Sequence, residues 1–250
     1  MPLSSMTSTR HEAPARDRQP RYQPPAGANL IVLSELLARI GRPGLGPKQL
    51  ALLQRDAVGD VVVHYAGEIG LLDGPAVSIV GTRDVSEDGR MRAARLAREL
   101  AGHGVLVVSG LAKGVDAAAH RGALQGGGAT AAVIGTPLDK AYPIENAALQ
   151  EEIYRRHLLL SPFASGTRVF KGNFPARNRV MAAVTDATVI IEASDTSGTL
   201  HQAAECQRLG RWLFILRSVV ENPSISWPSR FVGAPKTAVL ERTEDILSRI

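Results

Sequence analysis

Short, almost wholly apolar runs alternate with longer segments of helical periodicity from about residue 75 to the end of the chain. The runs span residues 76–80, 105–108, 130–134, 158–160, 188–191 and 212–216. A strand that is apolar on both faces is buried on both faces, as in a parallel sheet covered by helices. The alternation therefore predicts an α/β fold with a doubly wound, mostly parallel sheet. Residues 243–250 predict a closing helix, because Thr243 is a suitable N-cap and two acidic residues follow it.

The pattern before residue 75 is different. Residues 1–27 are rich in Ser, Thr, Pro, Gln and Arg without apolar periodicity, which predicts a disordered tail. Leucines at helical spacing then flank a Gly/Pro turn, so residues 29–54 predict a small hairpin of two helices. Its turn amides can face a phosphate, as in a helix-hairpin-helix, and the alternative is a module that only packs on the larger domain. We therefore predict a tail at 1–27, a helical module of helix-hairpin-helix or SAM-like type at 28–73 and a sheet domain at 74–250.

The composition excludes several classes of protein. A single cysteine, Cys206, excludes an intramolecular disulfide and a cysteine-cluster zinc site, and it favours a reducing, cytoplasmic setting. The histidines are scattered, so no metal site is expected. No apolar run approaches the roughly 20 residues that cross a bilayer. The 29 Lys and Arg residues against 24 Asp and Glu residues leave a net charge of +5, which solubility and an anionic partner explain equally well.

Small and basic residues follow several of the predicted strands. In an open α/β sheet, ligands bind beyond the carboxyl ends of the strands. Glycines there let backbone amides approach an anion, and a following helix adds the positive end of its dipole. Two of the loops also carry a cation, Arg83 or Lys113, which favours phosphate or carboxylate binding over an ordinary glycine turn. The candidate residues of these loops are Gly81, Arg83, Ser109, Gly110, Lys113, Ser197, Gly198 and Thr199.

A dense polar segment lies between the fourth and fifth predicted strands. Cations at Lys171, Arg177 and Arg179 can neutralise phosphates, and Asn178 adds a side-chain amide. Phe174 offers a face on which a base can stack. The alternative is a surface helix with Phe174 in the core.

The order and wording of these motifs resemble the bacterial DNA-processing proteins of the DprA/Smf family. The resemblance runs from about residue 75 to residue 216. The residues that carry it are 80–83, 109–116, 119–120, 123–124, 142–143, 146, 149, 173–175, 177–179, 192–193 and 197–198.

The resemblance implies an extended Rossmann-like domain that is not an enzyme and has no catalytic residue, metal or cofactor. It implies a protein that binds single-stranded DNA, forms homodimers and helps to load the RecA recombinase in DNA recombination and natural transformation, without a membrane partner. The helical hairpin is similar to the family's N-terminal helical domain, though shorter. By motif match, the family's DNA-contacting positions fall on Arg83, Lys113, Lys171, Phe174, Arg177 and Arg179.

Departures from the family pattern keep two alternatives open. Residues 197–203 replace the family's S-G-S-L-I-T-A, Pro162 replaces a glutamate, and residues 217–218 replace a Pro-Gly pair. One alternative is a sensor of a nucleotide-derived ligand. The other is a nucleoside-monophosphate phosphoribohydrolase, but its glutamate would fall on Gln202, and an amide cannot act as a general base. In this alternative, Glu205, one turn further on, takes over part of the role of that glutamate.

Asp116 and His120 lie four residues apart on one predicted helix face. This spacing fits an acid–base pair. It also fits a carboxylate near a helix start together with a packed histidine.

Overall fold

The computed structural model describes residues 22–42 and 61–250, and one nine-stranded sheet forms the centre of that part of the chain. The strands are β1 Asn29–Val32, β2 Val62–Gly67, β3 Ala76–Val80, β4 Leu106–Ser109, β5 Thr130–Val133, β6 Leu158–Ser161, β7 Ala187–Ile190, β8 Trp212–Leu216 and β9 Thr237–Leu240. The helices are α1 Leu33–Arg39, α2 Glu87–Gly102, α3 Val115–Gln125, α4 Ala147–Arg156, α5 Asn173–Ala183, α6 Thr199–Arg208, α7 Arg217–Val220 and α8 Glu244–Leu247. Short 3-10 helices occupy Ile69–Asp73, Ile144–Asn146 and Trp227–Arg230.

The sheet has the order β1-β2-β6-β5-β4-β3-β7-β8-β9. The seven strands from β6 to β9 in this order pair in parallel, for example Val77 with Val107 on one side and with Ala187 on the other. The chain runs outward from β3 to β6, then crosses back to β7 on the opposite side of β3. The prediction of an α/β, Rossmann-like, doubly wound and mostly parallel sheet is therefore confirmed.

Alternate residues of the parallel strands feed two apolar layers. Val80, Val108 and Val133 pack on one face of the sheet with α1, α5 and α6. Val77 and Val107 pack on the other face with α2 and α3, and neighbouring strands pack there against α4. All residues of β3 are buried, as the apolar run predicts. Helices on both faces thus explain why these strands lack a polar side.

The N-terminal region differs from the predicted helical module. Residues 29–32 form a strand instead of the start of a helix, and β1 pairs antiparallel with β2, which pairs antiparallel with β6. Only α1 matches the predicted hairpin, and the segment predicted to form its second helix lies outside the described residues. Arg42 is buried, forms an ion pair with Asp186, and donates hydrogen bonds of 2.9 Å to the carbonyls of Leu72 and Gly74. Within the predicted helical module, residues 29–32 and 62–67 are therefore strands of the main sheet, and the rest of its described residues pack on that sheet.

The end of the predicted disordered tail is also ordered. The Tyr22 hydroxyl donates a hydrogen bond of 2.8 Å to the Leu138 carbonyl and accepts one of 2.8 Å from the Gln150 side chain. The Tyr154 hydroxyl donates to the Gln23 carbonyl at 2.8 Å. The tail prediction is wrong for these residues because the tyrosine ring packs beside α4, and residues 1–21 lie outside the described residues.

Across the described ranges, every helix is too short or too polar to span a lipid bilayer. The closing helix, α8, is shorter than predicted and covers Glu244–Leu247.

Candidate functional site

A cleft opens where the sheet reverses its strand order, beyond the carboxyl ends of β3 and β7. It has a volume of about 350 Å³ and lies between the β3–α2 loop and the first turns of α5 and α6. At such a reversal, neighbouring loops lead away in opposite directions, and open α/β sheets bind ligands there. The predicted site residues that line the cleft are Gly81, Arg83, Phe174, Arg177, Asn178, Ser197, Gly198 and Thr199.

A smaller pocket of about 60 Å³ adjoins the cleft, and we call it the aromatic pocket. The rings of Tyr142 and Phe174 lie 5.8 Å apart between centroids, and the Arg83 guanidinium lies 5.5 Å from the Phe174 centroid. Tyr142 is 51% exposed. The pocket thus combines two aromatic rings with a cation. Its lining also contains the predicted site residues Gly110, Lys113 and Arg177.

Sequence reasoning did not assign Tyr142 to the site. The residue lies in the loop after β5, and only the packed structure brings its ring to Phe174, which is 32 positions further along the chain. The sequence does contain a signal for it, because Tyr142 directly precedes Pro143 in a loop that follows a predicted strand, at the carboxyl edge of the sheet. Further lining residues of the cleft that the predicted set lacks are Thr82, Asp116, Ser194, His201 and Gln202.

The predicted cations differ in their accessibility. Arg83 and Lys113 are exposed, and Lys113 forms an ion pair of 2.7 Å with Glu145. The loop that carries Lys113 is held by Asn146, whose side chain donates hydrogen bonds to the carbonyls of Leu111 and Ala112 at 2.9 and 3.2 Å. Lys171 is exposed in the turn before α5, but it lines neither the cleft nor the aromatic pocket, and Arg179 lines neither.

Arg177 lies under the site and is only 6% exposed. Its guanidinium packs against Gly110, where a Cβ atom would lie 1.7 Å from Nη1, and Nη1 donates a hydrogen bond to the Val133 carbonyl. Burial lowers the pKa of Arg177, while the nearby Asp116 carboxylate opposes that shift. Gly110 is therefore required by the close approach of Arg177, which forms the wall between the two cavities.

In two of the loops predicted to bind phosphate, candidate polar groups already form hydrogen bonds within the protein. Ser109 is fully buried and its hydroxyl donates to the Ile79 carbonyl at 2.6 Å, so its side chain lines neither cavity. At the start of α6, the Thr199 amide donates to the Ser197 hydroxyl at 3.2 Å. Gly198 is open, with no atom within 4 Å of the position a Cβ would take. The β3–α2 loop and α5 thus supply more free binding groups than α6 does.

Asp116 and His120 lie in the interior. Burial raises the pKa of Asp116, and the positive charge of Arg177 opposes the shift. His120 is fully buried, and its Nδ1 lies 2.7 Å from the Thr130 hydroxyl. Burial, with a further contribution from the Arg177 charge, lowers the pKa of His120 to about 3. A neutral histidine in this position is a packed core residue, which leaves no role for it as a proton carrier at neutral pH.

The His120 pKa makes a testable contribution to acid sensitivity. Because the folded-state pKa lies below the ordinary value of 6.5, stability is fully present above pH 6.5 and is lost as the pH falls toward 3. We expect His120 to account for about 2 kcal/mol of the loss between neutral pH and pH 5. Urea unfolding of His120→Gln at both pH values is expected to show a smaller difference than the wild type. The exposed His103→Gln serves as the control, and an unchanged pH dependence in His120→Gln would contradict the assignment.

The comparisons with known proteins agree on one family. Residues 47–250 match the family model for DNA recombination-mediator protein A. The DNA processing protein DprA of Streptococcus pneumoniae is 41% identical over 156 residues, which are 62% of this chain and 55% of that protein. Protein Smf of Synechocystis is 38% identical over 159 residues, 62% of this chain and 40% of that protein. The chain thus spans about half the length of these relatives.

Solved structures of DprA share the fold. DprA from Streptococcus pneumoniae superposes with a TM-score of 0.69 at 35% identity, covering 76% of this chain and 66% of that one. DprA from Helicobacter pylori, a protein that binds single-stranded DNA, gives a TM-score of 0.69 at 29% identity, covering 82% of this chain and 92% of that one. The chain belongs to the DNA recombination-mediator protein A family, the DprA/Smf family of DNA-processing proteins.

Proposed function

We propose that this chain binds single-stranded DNA, without catalysing a reaction, across the cleft and the aromatic pocket. The observation that carries the proposal is that Tyr142, Phe174 and Arg83 lie together at the exposed opening of the aromatic pocket. Base–aromatic stacking needs an unpaired base whose face is free, and every base has such a face. A duplex keeps its bases stacked on one another, so the aromatic pocket favours a single strand. It does not select a sequence, because every base can stack.

Exposed cations beside the rings supply the contacts to the backbone. Arg83 lies at the junction of the two cavities, Lys113 lines the aromatic pocket, and Lys171 is exposed in the turn before α5. These side chains can each neutralise a phosphate and release a counterion. Arg177 acts from below as a positioning residue, because its guanidinium is buried against Gly110.

Two contacts oppose the phosphoribohydrolase alternative. Gln202 is fully buried, and its amide nitrogen donates to the Thr188 hydroxyl at 3.3 Å. Glu205, the substitute acid, forms an ion pair with Arg208. Among the described residues that line the cleft, Asp116 is the one carboxylate, and it is 95% buried. These arrangements support a binding role.

Family membership extends the proposal beyond DNA binding. We propose that the chain forms a homodimer in the cytoplasm and delivers the bound strand to RecA during recombination and natural transformation. The similarity to DNA-processing proteins supports this proposal.

The proposal predicts a measurable dependence on salt. With about three phosphates neutralised by the exposed cations, log affinity for an oligothymidylate is expected to fall with log salt at a slope of about −2. Fluorescence anisotropy at a series of salt concentrations measures this slope, and a duplex of equal length is expected to bind more weakly. A flat salt dependence would contradict the proposal. Strong thermal stabilisation by a mononucleotide, without oligonucleotide binding, would favour the sensor alternative.

A further inference from the structure

A third cavity of about 450 Å³ lies between α2 and α3, and we call it the α2–α3 groove. Arg90 and Met91 on α2 form one wall, and Arg121 and Gln125 on α3 form the other. All four side chains are exposed. The groove therefore presents basic and polar side chains at a surface that shares only Lys113 with the proposed DNA-binding residues.

The groove is continuous with the aromatic pocket. Lys113 lines both cavities, so the two meet at this residue, and its ammonium group pairs with Glu145, which lines the groove. Gly114 follows with φ of 77°, and a Cβ atom there would lie 2.5 Å from the carbonyl oxygens of Thr82 and Arg83. A glycine is required because only this tight turn brings the start of α3 against the loop that carries Arg83. A DNA strand bound at Arg83 therefore reaches the α2–α3 groove directly after it passes Lys113.

The floor of the groove is made of small residues. Ala94, Ala117 and Ala118 line it together with Gly114. The two helices approach so closely that a Cβ atom at Gly122 would lie 2.2 Å from the Ala94 carbonyl oxygen. These floor residues have no large side chain. An extended polyanion can therefore lie along the floor and place its phosphates against the basic walls.

The charges of the groove suit a polyanion. Arg121 is exposed on α3, about 9 Å along the helix axis from Val115. Arg90 is paired with Glu87, and Lys113 is paired with Glu145, with more than half of each side chain exposed. Exposed ion pairs contribute little to stability, so a phosphate can take the place of either carboxylate at small cost.

We propose that single-stranded DNA leaving the aromatic pocket passes Lys113 and continues along the α2–α3 groove to Arg121. This inference rests on the proposed function and adds a direction to it. The strand runs from the cleft at the centre of the sheet toward the C-terminal turn of α3. A short oligonucleotide fills the cleft and the aromatic pocket, and only a longer one reaches Arg121.

The test compares two lengths of oligothymidylate on the same variant. A length of about 6 nucleotides lies near the lower end of the footprints of common single-strand binding folds, and about 20 nucleotides exceeds their upper end. Arg121→Glu is expected to weaken binding of the long oligonucleotide by at least about tenfold, because the reversed charge repels a phosphate. Binding of the short oligonucleotide is expected to stay within about twofold of the wild type. Arg156→Glu, the same change on the exposed side of α4, is the control, and it leaves both affinities unchanged.

The outcomes separate this inference from the proposed function. If Arg121→Glu binds the long oligonucleotide as the wild type does, the groove is not part of the path and the proposed function stands. Equal weakening at both lengths overturns the groove as well, because the effect is then general. If the wild type binds neither length, the proposed function fails and the inference falls with it. Gln125→Glu, at the same end of the groove, repeats the test if Arg121→Glu does not fold.

Discussion

Arg177→Met is expected to destabilise the folded protein by about 3 to 5 kcal/mol, the usual cost of removing one partner from a buried pair of opposite charges. The substitution removes the hydrogen bond to the Val133 carbonyl and leaves the Asp116 carboxylate buried without the cation that opposes its desolvation. It also takes away the group that fills the space above Gly110. Urea unfolding measures the change in the free energy of unfolding.

The destabilisation is expected to depend on pH in a defined direction. Burial raises the pKa of Asp116 above its ordinary value of about 4, so the folded state binds a proton that the unfolded state has released. Stability therefore falls as the pH rises through this acidic window, and the loss of Arg177 enlarges the effect. The difference between Arg177→Met and the wild type is expected to be larger at neutral pH than near pH 4.

Two further variants check the cause. Adding Asp116→Asn to Arg177→Met is expected to recover part of the lost stability, because the uncompensated charge is gone. Arg179→Met, two positions further along α5, is the matched control and is expected to cost less, since Arg179 is less buried than Arg177. Wild-type stability of Arg177→Met would show that the guanidinium does not support the wall between the two cavities.

Arg83→Ala combined with Phe174→Leu is expected to weaken single-stranded DNA binding by about 100-fold. The pair removes a phosphate contact and a stacking surface, and stacking on an aromatic ring contributes about 1 to 3 kcal/mol per base. Leucine keeps an apolar contact with Gly135, against which the Phe174 ring packs. Fluorescence anisotropy gives the affinity, and the melting temperature verifies the fold.

The chain supplies a matched control for this variant. Arg168 lies 5.4 Å from the centroid of the Phe170 ring, nearly the same geometry as the Arg83–Phe174 pair, and Phe170 is 57% exposed. Neither residue lines the cleft or the aromatic pocket. Arg168→Ala with Phe170→Leu therefore removes an equal charge and a similar ring at a different place. If both double variants lose the same affinity, binding depends on general charge and not on the aromatic pocket.

Six of the seven parallel strands, β3 to β8, could be predicted because runs of apolar residues mark them, whereas β9 lies outside the predicted runs. Val and Ile lie on both faces of β3, and each predicted run overlaps a strand of the structure. The edge strands are less distinctive. Residues 29–32 read equally well as the first turn of the helix that follows, and their pairing with β2 depends on contacts with residues 30 to 36 positions away. Long-range pairing of this kind leaves no periodicity in a single sequence.

The location of the candidate site in the fold could be predicted from the sequence, but the burial of its individual side chains could not. The loops after the strands do meet at one edge, and the helical period explains which residues of α5 face the cleft. Phe174, Arg177, Asn178 and Met181 recur at intervals of three and four and line it, whereas Arg179 falls between these positions. This spacing separates Arg179 from the residues of α5 that line the cleft. The burial of Arg177 and Ser109 could not be read from residue type, because both are polar. Their burial depends on hydrogen bonds to the Val133 and Ile79 carbonyls, which only the folded sheet supplies.

The segment from Tyr22 to Arg42 is attached to the sheet on both sides of β3. Tyr22 is fixed beside α4, at the β6 side, and Arg42 is fixed to Asp186, at the start of β7 on the other side of β3. Dividing the chain at residue 74 would remove both attachments and strip β1 and β2 from β6. The bared edge of β6 would then offer unpaired backbone groups to other chains, which is a common route to aggregation. The natural unit for expression and for truncation experiments thus begins at or before Tyr22.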